Sequence, residues 1–254
     1  MAIRTLTALP VYNEKAHVDG AVAGALNYSR EVLVVDDGSI DGTSDLLSAR
    51  RDIHLIRHEH NRGYGAALIS AFDFAVARGY DVLVTIDCDG QHQPQLIPRF
   101  VEAAETADLV SGSRYLRRFP GDTEPPEERQ RINRTITAEL NRLLNLRLTD
   151  AFCGFKAYRT SALAQFQLTE TGYAMPLELW VQAKQLGLKI VELPVPLIYL
   201  DFERSFGGAL DQSDTRLAVY RNVIADSIER SGQMAVGSGQ KAIADNSSPL
   251  STIR

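Results

Sequence analysis

Residues 31–39 read Glu-Val-Leu-Val-Val-Asp-Asp-Gly-Ser, and residues 81–92 read Asp-Val-Leu-Val-Thr-Ile-Asp-Cys-Asp-Gly-Gln-His. Each is a short aliphatic run without polar alternation that ends in acids and a glycine. A strand covered on both faces needs no alternation, so such runs suit the interior of a parallel sheet. Working outward, Thr5–Leu9, Glu31–Val35, Ile53–Arg57, Asp81–Ile86 and Asp108–Gly112 read as strands. His17–Asn27, Gly42–Arg50, Tyr64–Ala77 and Pro94–Ala104 lie between them with helical spacing. Asp41 is placed to cap the second helix and Pro94 to open the fourth. Strict alternation of strand and helix predicts an α/β fold, a mostly parallel doubly wound sheet with helices on both faces.

The composition sets outer bounds. The chain has 254 residues, 44% hydrophobic, which is enough for a large core and excludes extended disorder. Two cysteines exclude a disulfide scaffold. A net charge of −5 offers no general attraction to nucleic acid, so no nucleic-acid partner is expected. No run approaches the roughly 20 apolar residues of a membrane span. The first residues lack the apolar stretch of a secretory signal, so the expected location is the cytoplasm. In the second half, Leu116–Pro126 reads as a mobile loop. A helix is expected from Glu127 to Leu146 with Ile132, Ile136, Leu140, Leu143 and Leu144 on one face. A second helix, Pro176–Leu186, and a strand, Lys189–Val195, follow. Residues 231–254 are rich in Gly, Ser and Ala without a sustained period and read as a disordered tail after a single domain spanning 1–230.

In an open parallel sheet, ligands bind beyond the carboxyl ends of the strands. Strand one ends in Pro10-Val11-Tyr12-Asn13-Glu14, strand two in Asp36-Asp37-Gly38-Ser39, and strand four in Asp87-Cys88-Asp89-Gly90-Gln91-His92. Three strands thus bring carboxylates to one rim, where they would repel one another without a cation. Alternate residues of an extended segment point the same way, so Asp87 and Asp89 can face one site. A hard oxygen cluster suits Mg²⁺ or Mn²⁺, which takes one or two carboxylates and completes its shell with water and phosphate oxygens. The expected ligand is therefore a diphosphate. A dinucleotide-binding fold would place its glycine fingerprint after strand one, where this chain has Pro-Val-Tyr-Asn-Glu. Gly63-Tyr64-Gly65 follows strand three and reads as a tight turn opening a helix.

Further stretches join these: Asp41-Gly42-Thr43, Asn61-Arg62-Gly63-Tyr64-Gly65, Ser111-Gly112-Ser113-Arg114-Tyr115 and Asp150-Ala151-Phe152-Cys153-Gly154-Phe155-Lys156. In this order and spacing, across roughly residues 3–208, they resemble the family 2 glycosyltransferases of the GT-A fold, in the dolichol-phosphate mannose synthase branch. The resemblance implies that Pro10, Tyr12, Glu14 and Asp37 contact the base and ribose of a nucleotide-sugar donor, with Val35 among the nucleotide-binding residues. Asp87 and Cys88 would line the sugar and nucleotide side, and Asp89 and Gln91 would hold Mg²⁺ or Mn²⁺. Arg114 would reach a phosphate, and Arg204 would bind in a segment where this chain reads Ser-Phe-Gly-Gly-Ala-Leu instead of the branch's Ser-Lys pattern. Residues 1–112 would form the nucleotide-sugar half and 113–230 the acceptor half.

The implied reaction is metal-dependent transfer of a hexose, mannose or glucose, with inversion, from a nucleotide-diphosphate sugar to a polyprenyl phosphate. A lipid phosphate is already substantially ionised at neutral pH and attacks without a base. A hydroxyl acceptor would need one, and Glu178 is then the candidate carboxylate; an acid capping its own helix is the other reading of that residue. Asp89, Arg114 and Glu178 are thus the residues expected to take part in catalysis. Arg114–Arg147 holds eight arginines against five acids, a local +3 that suits a lipid phosphate at a membrane surface. Peripheral attachment to the cytoplasmic face, directly or through a separate membrane-anchoring protein, is the expectation. The alternatives are transfer to a glycan or small-molecule hydroxyl, and a non-catalytic nucleotide-sugar binding module.

Overall fold

A computed structural model describes residues 3–200 and 208–244. The strands are β1 (Thr5–Val11), β2 (Val32–Asp36), β3 (His54–Arg57), β4 (Val82–Thr85), β5 (Leu109–Ser113), β6 (Lys156–Arg159) and β7 (Ile190–Pro194). The helices are α1 (Val18–Leu26), α2 (Thr43–Ser48), α3 (Tyr64–Ala77), α4 (Ile97–Ala104), α5 (Glu127–Leu144), α6 (Thr160–Leu163), α7 (Met175–Gln185) and α8 (Ser213–Ala244). The strands form one sheet in the order β3-β2-β1-β4-β6-β5-β7. All neighbours run parallel except β6, which is antiparallel to both β4 and β5. Because β6 reverses twice, β5 still points the same way as β4. The carboxyl ends of β1, β2, β4, β5 and β7 therefore share one rim, and β6 begins there, with Lys156 beside Thr85.

The five expected strands fall within one or two residues of their sequence limits because β2, β4 and β5 are buried along their whole length. Each sheet face carries its own core. One is built on Leu6, Leu33 and Leu83 with α3, α5, α7 and α8; the other joins Leu9, Val34 and Val84 to α1, α2 and α4.

Several expectations are corrected. β6, four residues opening on a lysine, is an additional strand in the middle of the sheet. Pro94 opens a 3₁₀ turn that leads into α4. Gly42 occupies the N-cap of α2, while Asp41, one residue earlier, accepts from the Thr43 N–H at 2.9 Å. On α5 the buried stripe is Ile132, Ile136, Leu140 and Leu144 with Asn133 and Thr137, and Leu143 is 47% exposed. The stripe leans toward positions 133 and 137 because those polar side chains are bonded to the turn at Asp150 and Ala151. The apolar face of α5 is thus used within the core. The loop after Leu116 is tied down: Asp122 accepts from the backbone of Phe119 and Leu197, and Thr123 N–H donates to Leu197. α8 continues through Ala244, past the boundary at 230; residues 245–254 of the expected tail lie outside the described residues.

Candidate active site

A cavity of about 630 Å³ opens on the rim where the strands end. Pro10, Tyr12, Glu14, Asp37, Asp87, Cys88, Asp89, Gln91 and Arg114 all line it, although they come from four separate strand ends. Val35 does not: it lies fully buried within β2. Glu178 is likewise absent from the lining, and Arg204 falls outside the described residues.

The acids divide by role. Asp36 is structural, accepting from Ser39 N–H at 3.0 Å and from the Ser44 hydroxyl. Asp37 holds the Arg62–Gly63 turn, accepting from their N–H groups at 2.9 and 2.8 Å, with His58 Nδ1 2.6 Å away. It therefore fixes the entry to α3 and still borders the cavity. At the end of β4, Asp87 accepts from the Tyr64 hydroxyl at 3.1 Å, and its backbone N–H donates to His92 Nδ1 at 2.9 Å. His92 is thereby a structural support. Burial first, and then the Asp87 charge, push the Tyr64 phenol well above its ordinary pKa, keeping it a hydrogen-bond donor.

Asp89 and Gln91 form a compact pair. The Gln91 backbone N–H donates to Asp89 Oδ1 at 3.1 Å, and its side-chain amide donates to Oδ2 at 3.0 Å. Among the described residues no group of three or more His, Cys, Asp or Glu side chains could hold a metal. Asp87, Asp89 and the Gln91 amide all line the cavity, and such oxygen donors fit a hard cation that draws its remaining ligands from phosphate and water. Asp89 and Gln91 are the residues that would hold it.

The residues that the second half of the fold brings to the cavity have a different chemistry. Arg114, Arg129 and Arg216 line it together with Tyr115, Tyr199 and Tyr220. Asp150, fully buried behind Arg114, receives Nε at 2.7 Å and Nη2 at 3.0 Å, and Asn133 Nδ2 donates to it at 2.8 Å. Burial alone would raise the Asp150 carboxyl, but the guanidinium charge and these hydrogen bonds hold it well below the ordinary carboxylate range. A bidentate pair of this kind keeps the Arg114 guanidinium in one orientation. Arg216 is paired with Glu128, and Arg129 lies 5.9 Å from the Tyr199 ring centroid.

Sequence reasoning assigns no role to Tyr64 or Gly154, although both stand inside the motifs, and does not mark Tyr173, Arg129, Arg216 or Tyr220. Gly154 arrives at the rim with β6, and a β-carbon there would clash with the Asp87 carboxylate. Arg129 and Arg216 come from α5 and from α8, and only the tertiary fold brings them to one cavity.

The glycosyl transferase family 2 model matches residues 7–166. Similar proteins include the undecaprenyl-phosphate mannosyltransferase of Micrococcus luteus, 37% identical over 217 residues, which are 81% of this chain and 86% of that protein. The polyprenol monophosphomannose synthase of Mycolicibacterium smegmatis is 33% identical, with 86% and 85% covered. Among solved structures, glucosyl-3-phosphoglycerate synthase from Mycobacterium tuberculosis, in complex with Mn²⁺, UDP and glucosyl-3-phosphoglycerate, matches with a TM-score of 0.67 and 22% identity. That match covers 91% of this chain and 81% of the synthase, and it bears on the GT-A fold alone. With the family model spanning most of the sheet and relatives above 30% identity along most of the length, the chain belongs to glycosyl transferase family 2.

Proposed function

We propose that the protein transfers a hexose, with mannose carried on GDP as the donor, to a polyprenyl phosphate with inversion at the anomeric carbon. The observation that carries this reading is the division of the cavity. Its carboxylates, Glu14, Asp37, Asp87 and Asp89, follow β1, β2 and β4, whereas its arginines come from the second half of the fold: Arg114 after β5, Arg129 on α5 and Arg216 on α8, together with three tyrosines. An anionic acceptor suits those arginines, and a lipid phosphate arrives already ionised, its second pKa being about 6. The named activities of the Micrococcus luteus and Mycolicibacterium smegmatis relatives support the same acceptor class.

In this mechanism Asp37 and the Arg62–Gly63 turn shape the nucleoside end, and Tyr64 and Gly154 fix the Asp87 carboxylate beside the sugar. A divalent cation on Asp89 and Gln91 would neutralise charge developing on the departing diphosphate. Arg114, oriented by Asp150, offers charge-assisted hydrogen bonds to a phosphate, and the acceptor oxygen attacks from the side opposite the leaving group. No carboxylate is required as a base, and Glu178 lies outside the cavity.

Purified protein with GDP-mannose and Mn²⁺ should release GDP when a polyprenyl phosphate is added and not when sugars are added. Release driven by a glycan or small-molecule hydroxyl would overturn the acceptor assignment. Donor binding without turnover for any acceptor would make the chain a binding module. Thermal-shift screening against nucleotide sugars decides between GDP-mannose and UDP-glucose. No helix among the described residues is long and apolar enough to cross a membrane. A lipid-phosphate acceptor is met at a membrane surface, and sedimentation of the protein alone with anionic vesicles distinguishes direct attachment from attachment through a separate anchoring protein.

A further inference from the structure

Glu178 is 2% exposed, yet it sits on α7 away from the cavity, and its hydrogen bonds lead elsewhere. Oε2 accepts the backbone N–H groups of Thr169 at 2.9 Å and Glu170 at 2.7 Å. Oε1 accepts the Thr169 hydroxyl at 3.1 Å and the Gln182 amide at 3.3 Å, with Arg230 Nη2 of α8 at 3.5 Å. Arg230 also donates to the Thr169 hydroxyl oxygen. One buried carboxylate thus gathers two backbone donors, two side-chain donors and a cation around the turn at 169–172.

That turn lies against the start of α3. Thr171 O accepts from Ala66 N–H at 3.0 Å. A β-carbon at Gly63 would meet Thr171 O at 2.4 Å, and one at Gly65 would meet Glu170 O at 2.6 Å. The two glycines of the Gly-Tyr-Gly motif are therefore explained by close approach of this turn, in addition to the positive φ of 104° at Gly63. Between them stands Tyr64, whose hydroxyl donates to Asp87 and whose ring stacks on Tyr173, with centroids 5.7 Å apart. Both tyrosines line the cavity.

We infer that Glu178 is a positioning residue for the donor: anchored by Arg230, it clamps the 169–172 turn onto the start of α3 and so holds Tyr64, and through it Asp87, in place. The inference rests on the reading of the cavity as a nucleotide-sugar site. It replaces the expectation of Glu178 as a general base with a role exerted through its neighbours.

The test uses the full chain with Mn²⁺, GDP-mannose and a polyprenyl phosphate. Glu178→Ala removes the acceptor of two partly buried backbone donors. It should weaken the calorimetric Kd for the donor by about 10-fold or more, a loss in line with one or two unsatisfied groups, while kcat changes less than about threefold. Arg230→Gln, at a position 43% exposed, removes the anchor without opening the core and should shift Kd in the same direction by about threefold. Tyr64→Phe should reproduce the loss, and its combination with Glu178→Ala should be less than additive, because both act through one contact to Asp87.

Turnover slowed by about 100-fold or more, with donor Kd unchanged and the acidic limb of the pH–rate profile lost, would mark Glu178 as a base and overturn the inference. A lowered melting temperature with Kd unchanged in both Glu178→Ala and Arg230→Gln would make the cluster structural only. If Glu178→Ala does not fold, an unchanged Kd in Arg230→Gln and additive behaviour of Arg230→Gln with Tyr64→Phe would refute it. Failure of the unaltered protein to bind any nucleotide sugar would instead refute the reading of the site.

Discussion

Replacing Gly154 with alanine tests how tightly the donor pocket is built. An ideal β-carbon there would lie 2.3 Å from Asp87 Oδ2 and 2.7 Å from Oδ1, whereas ordinary contact begins near 3.4 Å. The carboxylate must therefore retreat by about 1 Å. Gly154 is not among the positive-φ glycines, so alanine itself fits the backbone. Asp87 is 29% exposed and can swing aside, at about 0.5–1.5 kcal/mol for a strained rotamer. For a chain of this size that lowers the melting temperature by no more than about 6 °C. The functional loss should be larger. A misplacement of about 1 Å at a reacting site costs about 100-fold, or about 2.7 kcal/mol. Calorimetry with GDP-mannose and Mn²⁺ should show weakened binding, and steady-state GDP release should show a kcat/KM lowered by about two orders of magnitude. A folded Gly154→Ala protein with unaltered Kd and kcat/KM would refute the placement of Asp87 against the donor. A collapse of the melting temperature by more than about 10 °C would assign the glycine to folding instead.

Asp89→Ala should abolish the Mn²⁺-dependent part of GDP binding while leaving thermal unfolding nearly unchanged; titrations with and without Mn²⁺ that give equal affinity in the variant and the unaltered protein would refute the metal assignment. Asp150→Asn should destabilise the protein at pH 7 by about 1.5–3 kcal/mol, because it takes the charged hydrogen-bond partner from Arg114, whose side chain is 17% exposed at the cavity. The folded-state pKa of Asp150 is lowered, so the unfolded chain takes up the proton first, near pH 3.9, and the pair's contribution is complete above about pH 5 and lost as pH falls further. Denaturant melts should accordingly show the gap between the two proteins narrowing from pH 5 to pH 3, and a gap independent of pH would contradict the linkage. Arg129→Gln should raise KM for the polyprenyl phosphate by about 10–100-fold, the worth of one charge-assisted contact, with donor Kd unchanged. A parallel loss of donor affinity would contradict the assignment of the arginines to the acceptor and the carboxylates to the donor.

Strands β2 and β4 are legible in the sequence because they are buried along their whole length, which leaves continuous aliphatic runs such as Val32–Val35 with acids soon after them. β6 is not, since Lys156-Ala-Tyr-Arg shows neither a run nor an alternation; its place between β4 and β5 is set by long-range pairing. Glu178 resists reading for a related reason. Every residue of α7 from Met175 to Ala183 is buried, so no polar face reveals where one carboxylate points, and its partners lie on the preceding turn and on α8. Spacing alone places Leu143 inward, but Asn133 and Thr137 rotate α5 toward the polar contacts they make with the Asp150 turn. The helical extent of 231–244 is hidden because three glycines break the apolar period there.

The antiparallel strand in the middle of the sheet also orders events during synthesis. β1 to β4 can pair as they leave the ribosome, but β5 emerges more than forty residues before β6, the strand that joins it to β4. Until residue 156 appears, β4 presents an unpaired edge, and such an edge invites association with other nascent chains. Closing it demands contacts between residues 71 to 77 positions apart, from Thr85 with Lys156 to Val82 with Arg159, which places a slow step in the middle of folding. The same event delivers Gly154 to Asp87. A fragment ending near residue 112 would hold all four carboxylates of the cavity and still lack Gly154 and the arginines, so sheet closure also completes the cavity.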